Sequence, residues 1–109
     1  DRFKDVIISG GENISSVEVE GCLLHHPAVL EVAVVGMPHE KWGEAPHAFV
    51  VLHSDKTSSE EELRLHVREN LAHFKTPQWF SFVSDLPKTA TGKVQKFLLR
   101  DGKAGISKQ

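Results

Sequence analysis

The stretch Pro87-Lys88-Thr89-Ala90-Thr91-Gly92-Lys93-Val94-Gln95-Lys96 sets a lysine directly after a glycine in a run of small polar residues. Such a pattern can serve phosphate chemistry. A Walker A loop needs another glycine five positions before the Gly-Lys pair and a Ser or Thr after the lysine, so that backbone amides wrap the phosphates and a hydroxyl reaches the metal. Those positions hold Pro87 and Val94, and a P-loop is rejected. What remains is either a flexible loop that delivers one ammonium to a site built elsewhere or a solvated surface lysine. Gly10-Gly11 is a second candidate, because adjacent glycines supply positive φ and permit close approach of a ligand or another backbone; a plain tight hairpin uses the same two residues. The seven histidines, His25, His26, His39, His47, His53, His66 and His73, show no zinc-ligand spacing and none pairs with cysteine. His66 and His73 lie seven apart on one predicted helix and can share a face, an arrangement that serves packing more often than ligation.

The elements that must position these residues follow from local pattern. Asp5 to Ser9 and Glu12 to Ile14 flank Gly10-Gly11 as a small hairpin. Ser15 with Glu18, and Ser59 with Glu62, fit capping boxes. They open a first helix bearing Val19, Cys22 and Leu23 and ended by Pro27, and a second bearing Leu63, Val67 and Leu71 and running to about His73. Val29 to Val35, His47 to Leu52 and Trp79 to Val83 read as strands. Gly36 to Pro46 reads as a loop, as does Asp85 to Lys93, and Val94 to Arg100 reads as a last short helix. Helices and strands mix without strict βαβ alternation, which predicts an α+β class: a small mixed domain with an N-terminal β-hairpin, a short central sheet and about three helices.

Composition narrows the function. At 109 residues the chain matches one domain. Its 13 Lys and Arg against 15 Asp and Glu give a net charge of −2, with no basic block, which argues against a nucleic-acid partner. Cys22 is the single cysteine, so no intrachain disulfide can form, and a reducing, cytoplasmic setting is expected. No apolar run, Val32 to Val35 included, comes near the about 20 residues a membrane span needs. The first residue is Asp, without an initiator Met, and the chain reads as a fragment.

Three segments then occur in order: Asp1-Arg2-Phe3-Lys4-Asp5, Ile7-Ile8-Ser9-Gly10-Gly11-Glu12-Asn13-Ile14, and Pro87 to Lys96. Together they resemble the acyl-adenylate-forming superfamily, and more narrowly the C-terminal domain of an AMP-forming acyl-CoA synthetase. The resemblance covers residues 1–101, leaving 102–109 as a tail expected to fray. The Ile-Ser-Gly-Gly-Glu-Asn run is similar to that of acyl- or aryl-CoA ligases; peptide-synthetase adenylation domains, luciferases and acetyl-CoA synthetases usually differ there.

This resemblance implies a fold, a reaction and a set of roles. The parent enzyme would convert a carboxylic acid, ATP and CoA into acyl-CoA, AMP and pyrophosphate through an acyl-adenylate. Its partner for this domain would be a larger N-terminal domain of the same chain, which binds the acid, most of ATP and the accompanying Mg²⁺, so the fragment alone would be inactive. Lys93 matches the lysine that enters the active site for adenylation. Arg2 matches an arginine that reaches the ribose of the nucleotide, its alternative being an ion pair with Asp5. Lys4 matches the hinge between an adenylating and a thioester-forming pose. Gly10, Gly11 and Glu12 match the loop beside the pantetheine arm of CoA. Trp42 matches a tryptophan lining the thiol site, its alternative being a half-buried loop residue. Phe74 and Lys75 match a segment that holds the CoA nucleotide, although Thr76 and Gln78 stand where some relatives carry Arg or Lys. Lys88 and Lys96 are expected to be solvated, the alternative for Lys96 being a place near phosphate. A fatty or aryl acid is the expected substrate. The rival reading is a freestanding binding or regulatory module that keeps the fold without catalysis. Ser107-Lys108-Gln109 departs from the Ser-Lys-Leu peroxisomal address at its last residue, which leaves a peroxisomal location open.

Overall fold

The computed structural model describes residues 6–100. Arg2, Lys4 and the 102–109 tail lie outside the described residues. Val6–Ser9 (β1) and Glu12–Ser15 (β2) form the expected hairpin, with Ile7 opposite Ile14. Gly10 and Gly11 adopt φ of 58° and 85°, values that residues with a Cβ resist. The Ser15 hydroxyl then accepts the Glu18 amide at 3.2 Å and starts α1, Ser16–Leu24. Ser59 does the same for Glu62 at 3.1 Å at the head of α2, Glu60–Asn70. These caps are one-sided rather than reciprocal boxes, because the Glu18 and Glu62 carboxylates turn to Lys75 and His26.

The central sheet is longer than its propensities suggest. Val29–His39 (β3) and Gly43–Leu52 (β4) are antiparallel, and Trp79–Phe82 (β5) lies parallel to β4, in the order β3-β4-β5. The expected loop from Gly36 to Pro46 is therefore mostly strand: Gly36 pairs with Pro46, Met37 with Ala45 and Pro38 with Glu44, leaving a turn of Glu40 to Trp42. Gly, Pro and His weaken local strand preference, but a continued antiparallel ladder satisfies their backbone groups and overrides it. Helix α2 ends earlier than expected, because Leu71 is extended (φ −133°, ψ 169°). His73–Lys75 forms a separate 3-10 turn. The last helix, α3, is confined to Lys96–Arg100. The domain is of the expected α+β class.

Side chains alternate across strands, and both faces of this sheet are covered. Val34, Ala48, Val50 and Phe80 pack with Val19 and Leu23 of α1, Leu63 and Val67 of α2, and Ile7 and Ile14 of the hairpin. Ala33, Val35, Phe49 and Val51 point the other way and pack with Val83, Leu86, Leu99 of α3, and Val94. The glycine hairpin and the segment around Lys93 thus sit on opposite faces of one sheet. No helix among the described residues is long and apolar enough to cross a membrane.

Candidate functional site

On the first face, two hairpin turns meet. The Gly10 amide donates to the Trp42 carbonyl at 3.0 Å, and a Cβ on Gly10 would lie 3.4 Å from Trp42 Cδ1. Trp42 is itself held by His39, whose Nδ1 accepts the Lys41 and Trp42 amides at 3.1 and 3.2 Å. The imidazole also stacks on the indole, with centroids 4.5 Å apart and planes 11° from parallel. A nitrogen that accepts two amides must carry no proton, which fixes the His39 tautomer. Glu44 of β4 anchors the same hairpin by accepting the Ile8 amide at 3.2 Å. Glu44 has room to do so because a Cβ on Gly36 would lie only 3.0 Å from its carboxyl carbon.

Beside this junction lies a cleft of about 410 Å³. Ser9, Gly10 and Glu12 of the hairpin, Trp42, and His73, Phe74 and Gln78 from the segment after α2 line it, together with Arg68 of α2. Four of the six sequence-predicted CoA residues, Gly10, Glu12, Trp42 and Phe74, are brought together here. Gly11 and Lys75 are not among the lining residues. Lys75 instead pairs with Glu18 at 2.8 Å and stands over the Phe74 ring, 5.8 Å from its centroid. His66 and His73 do not share a face: His66 Nε2 bonds the Cys22 carbonyl at 2.8 Å, whereas His73 has left the helix for the cleft. Arg68 and His73 were not singled out as site residues from sequence. The spacing of Leu63, Val67 and Leu71 marks Arg68 only as off the apolar stripe, and nothing local says what that side of the helix meets.

On the second face, the Lys93 loop is held by hydrogen bonds where a flexible segment was expected. Lys88 and Val94 form an isolated antiparallel bridge. The Thr89 amide donates to the Lys93 carbonyl at 2.8 Å, the Gly92 amide to the Thr89 carbonyl at 2.9 Å, and the Lys93 amide to Thr89 Oγ1 at 3.1 Å. Gly92 takes φ of 90° to close the turn, and the exposed Lys93 follows it.

The flanking lysines are paired, contrary to expectation. Lys88 Nζ lies 2.8 Å from Glu31 of β3, and this hydrogen bond holds its amine above the ordinary lysine range. Lys96 Nζ lies 2.7 Å from Glu20 and donates to Ser16 Oγ at 3.2 Å, with only 22% of its side chain exposed. The Glu20 carboxylate also accepts the Val34 amide at 2.8 Å. One carboxylate of α1 thereby caps an outer-edge amide of β3 and ties down α3 from the opposite face of the sheet.

The profile of the family described as "AMP-binding enzyme C-terminal domain" matches residues 18–93. The chain belongs to this family. As an AMP-binding enzyme C-terminal domain it is 52% identical over 101 residues to a peroxisomal trans-cinnamate:CoA ligase of Petunia hybrida, a match covering 93% of this chain and 18% of the relative. It is 54% identical over 108 residues to a 2-methylpropanoate–CoA ligase of Humulus lupulus, covering 97% of this chain and 19% of that one. A crystal structure of an acyl-CoA synthetase from Brucella canis superposes with a TM-score of 0.87 at 44% identity, over 94% of this chain and 20% of the other. The domain therefore spans about a fifth of the length of the relatives it matches.

Proposed function

We propose that this domain is the mobile C-terminal lid of an ATP-dependent acyl-CoA synthetase, serving two half-reactions with its two faces. One observation supports the reading above others: the Lys93 loop and the Gly10–Trp42 cleft lie on opposite faces of a single packed sheet. A rigid domain cannot turn both faces to one active site in one pose, so the two must be presented in succession. Rotation about a few backbone torsions at the domain entry serves this purpose, and Lys4 is the proposed hinge.

In the first pose Lys93 faces the nucleotide, and Arg2 reaches the ribose. The acid's carboxylate attacks the α-phosphorus of ATP, the bond to the bridging oxygen breaks, and pyrophosphate leaves with the electron pair. The Lys93 ammonium offsets the negative charge that accumulates as the two anions meet. In the second pose the glycine hairpin and Trp42 flank the pantetheine arm, whose sulfur attacks the acyl carbon and expels AMP. Gly10 and Gly11 leave the backbone bare beside that arm.

Mg²⁺ travels with ATP, held mostly through the phosphates and by the N-terminal domain. The acid is chosen by the same N-terminal domain, and a fatty or aryl acid fits relatives whose own names carry cinnamate and 2-methylpropanoate.

The test is Lys93→Ala in the full-length chain. Acid-dependent pyrophosphate exchange should slow by on the order of 10²- to 10³-fold, the cost of removing one preorganised charge-stabilising group. Acyl-CoA formation from supplied acyl-adenylate should fall far less. Equal losses in both half-reactions would refute the two-face reading.

A further inference from the structure

We propose that Glu20 of α1 and Lys96 of α3 are positioning residues for adenylation: their ion pair, seconded by that of Lys88 with Glu31, clamps the base of the Lys93 loop against the edge strand β3. The inference rests on the reading of Lys93 as the lysine of the adenylating pose. A charge that stabilises a developing anion must be held to a fraction of an ångström, and a loop holds a side chain less precisely than a helix or strand does. Lys93 is exposed and belongs to no helix or strand. Its loop closes on itself through the Lys88–Val94 bridge and the Gln95 amide, which donates to the Pro87 carbonyl at 2.8 Å. Those bonds fix the shape of the loop, not its place on the sheet.

Leu86, Val94 and Leu99 seat the segment in the second-face core, but apolar packing is non-directional. Direction comes from two lysines, one on each leg of the loop. Lys88, before the turn, reaches Glu31 at 2.8 Å, and Lys96, after it, reaches Glu20 at 2.7 Å. Both pairs end on the same edge strand. Glu31 belongs to β3, and the Glu20 oxygen that meets Lys96 is the one that accepts the Val34 amide of β3 at 2.8 Å. An exposed ion pair holds little, because solvent screens it and both side chains stay free. The Glu20–Lys96 pair is different: the two side chains are only 18% and 22% exposed, and Lys96 also donates to Oγ of the buried Ser16. A lysine three residues past Lys93 is thereby tied to a strand amide and to the first turn of α1. The position of the sheet is transmitted through this tie to the lysine that must meet the nucleotide.

The experiment uses the full-length enzyme and measures acid-dependent pyrophosphate exchange and acyl-CoA formation from supplied acyl-adenylate on the same preparations. Glu20→Gln keeps an acceptor for the Val34 amide and removes the charge; Lys96→Met keeps the stem and removes the ammonium. Each should lower the kcat of exchange about tenfold, part of the 10²-fold that a misplacement of about 1 Å can cost. Acyl-CoA formation from acyl-adenylate should be unchanged, which also reports that the variants are folded. Lys96→Arg, which keeps a cation beside Glu20, should retain most of the exchange rate. In a Lys93→Ala background neither Glu20→Gln nor Lys96→Met should slow exchange further, because residues that act only through Lys93 then have nothing to place. Undiminished exchange in both single variants, equal losses in the two half-reactions, or a full further loss in the Lys93→Ala background overturns the proposal. Undiminished exchange in Lys93→Ala itself would instead overturn the reading of Lys93, and the clamp with it.

Discussion

Replacing Gly10 and Gly11 one at a time separates backbone strain from closeness to Trp42. Both glycines have positive φ, 58° and 85°, so a side chain at either costs about 1–2 kcal/mol of stability. Their surroundings differ. A Cβ at Gly11 meets nothing within 4 Å, whereas one at Gly10 lies 3.4 Å from Trp42 Cδ1 and 3.7 Å from Cγ. Alanine at Gly10 therefore just touches the indole, and the two further methyls of Gly10→Val must push the ring or the hairpin aside. Misplacing a reacting group by about 1 Å can cost as much as 10²-fold in rate, and a partial shift of the cleft wall should raise KM for CoA about tenfold, or about 1.4 kcal/mol. The assay is steady-state acyl-CoA formation at varied CoA in the full-length enzyme, with pyrophosphate exchange measured on the same preparations. Gly11→Ala should lower stability and leave KM for CoA nearly as it was, while Gly10→Val lowers stability and raises KM. Exchange should survive in both, because the Lys93 loop lies across the sheet. Gly11→Asn should recover stability relative to Gly11→Ala, since asparagine tolerates this backbone region. Equal KM changes at the two positions would show that backbone strain, and not contact with Trp42, governs the cleft.

Further outcomes follow from other parts of the domain. Lys4→Pro fixes φ near −65° and restricts Phe3, so it should hold the enzyme in its adenylating pose; pyrophosphate exchange should persist while acyl-CoA output collapses, and normal output would place the hinge elsewhere. Lys96→Met removes the cation that Glu20 and Ser16 share, and should destabilise the domain by about 1–3 kcal/mol in urea unfolding; an unchanged midpoint would show that these polar contacts do not hold α3. Burial lowers the His47 pKa to about 4 against a weaker opposing pull from Glu60. The unfolded chain takes up that proton near pH 6.5, so stability is complete above that pH and is lost as pH falls towards 4. His47→Gln should flatten this slope, and an NMR titration midpoint for His47 near 6.5 would contradict the assigned burial.

Much of the local architecture is legible in the chain itself. Two adjacent glycines between β-branched runs specify the hairpin, because only residues without a Cβ take those φ values cheaply. Ser15 and Ser59 mark helix starts, because a hydroxyl oxygen placed there satisfies an amide that the helix leaves open. The Gly92-Lys93 pair, with the segments around Gly10 and Arg2, carries the family resemblance, since these motifs are continuous in sequence. Tertiary structure alone decided the rest. Gly36 to Pro46 became strand because each half is the other's ladder partner, and propensity counts residues one at a time. Lys75 and Lys88 pair with carboxylates 57 residues away, and Lys96 donates to a hydroxyl 80 residues away. Such partners are fixed by which surfaces the fold lays together, which no local pattern encodes. The same holds for Arg68: its periodicity places it off the apolar face of α2, and only the fold brings that outward position to a cleft it lines together with the hairpin and the Phe74 segment.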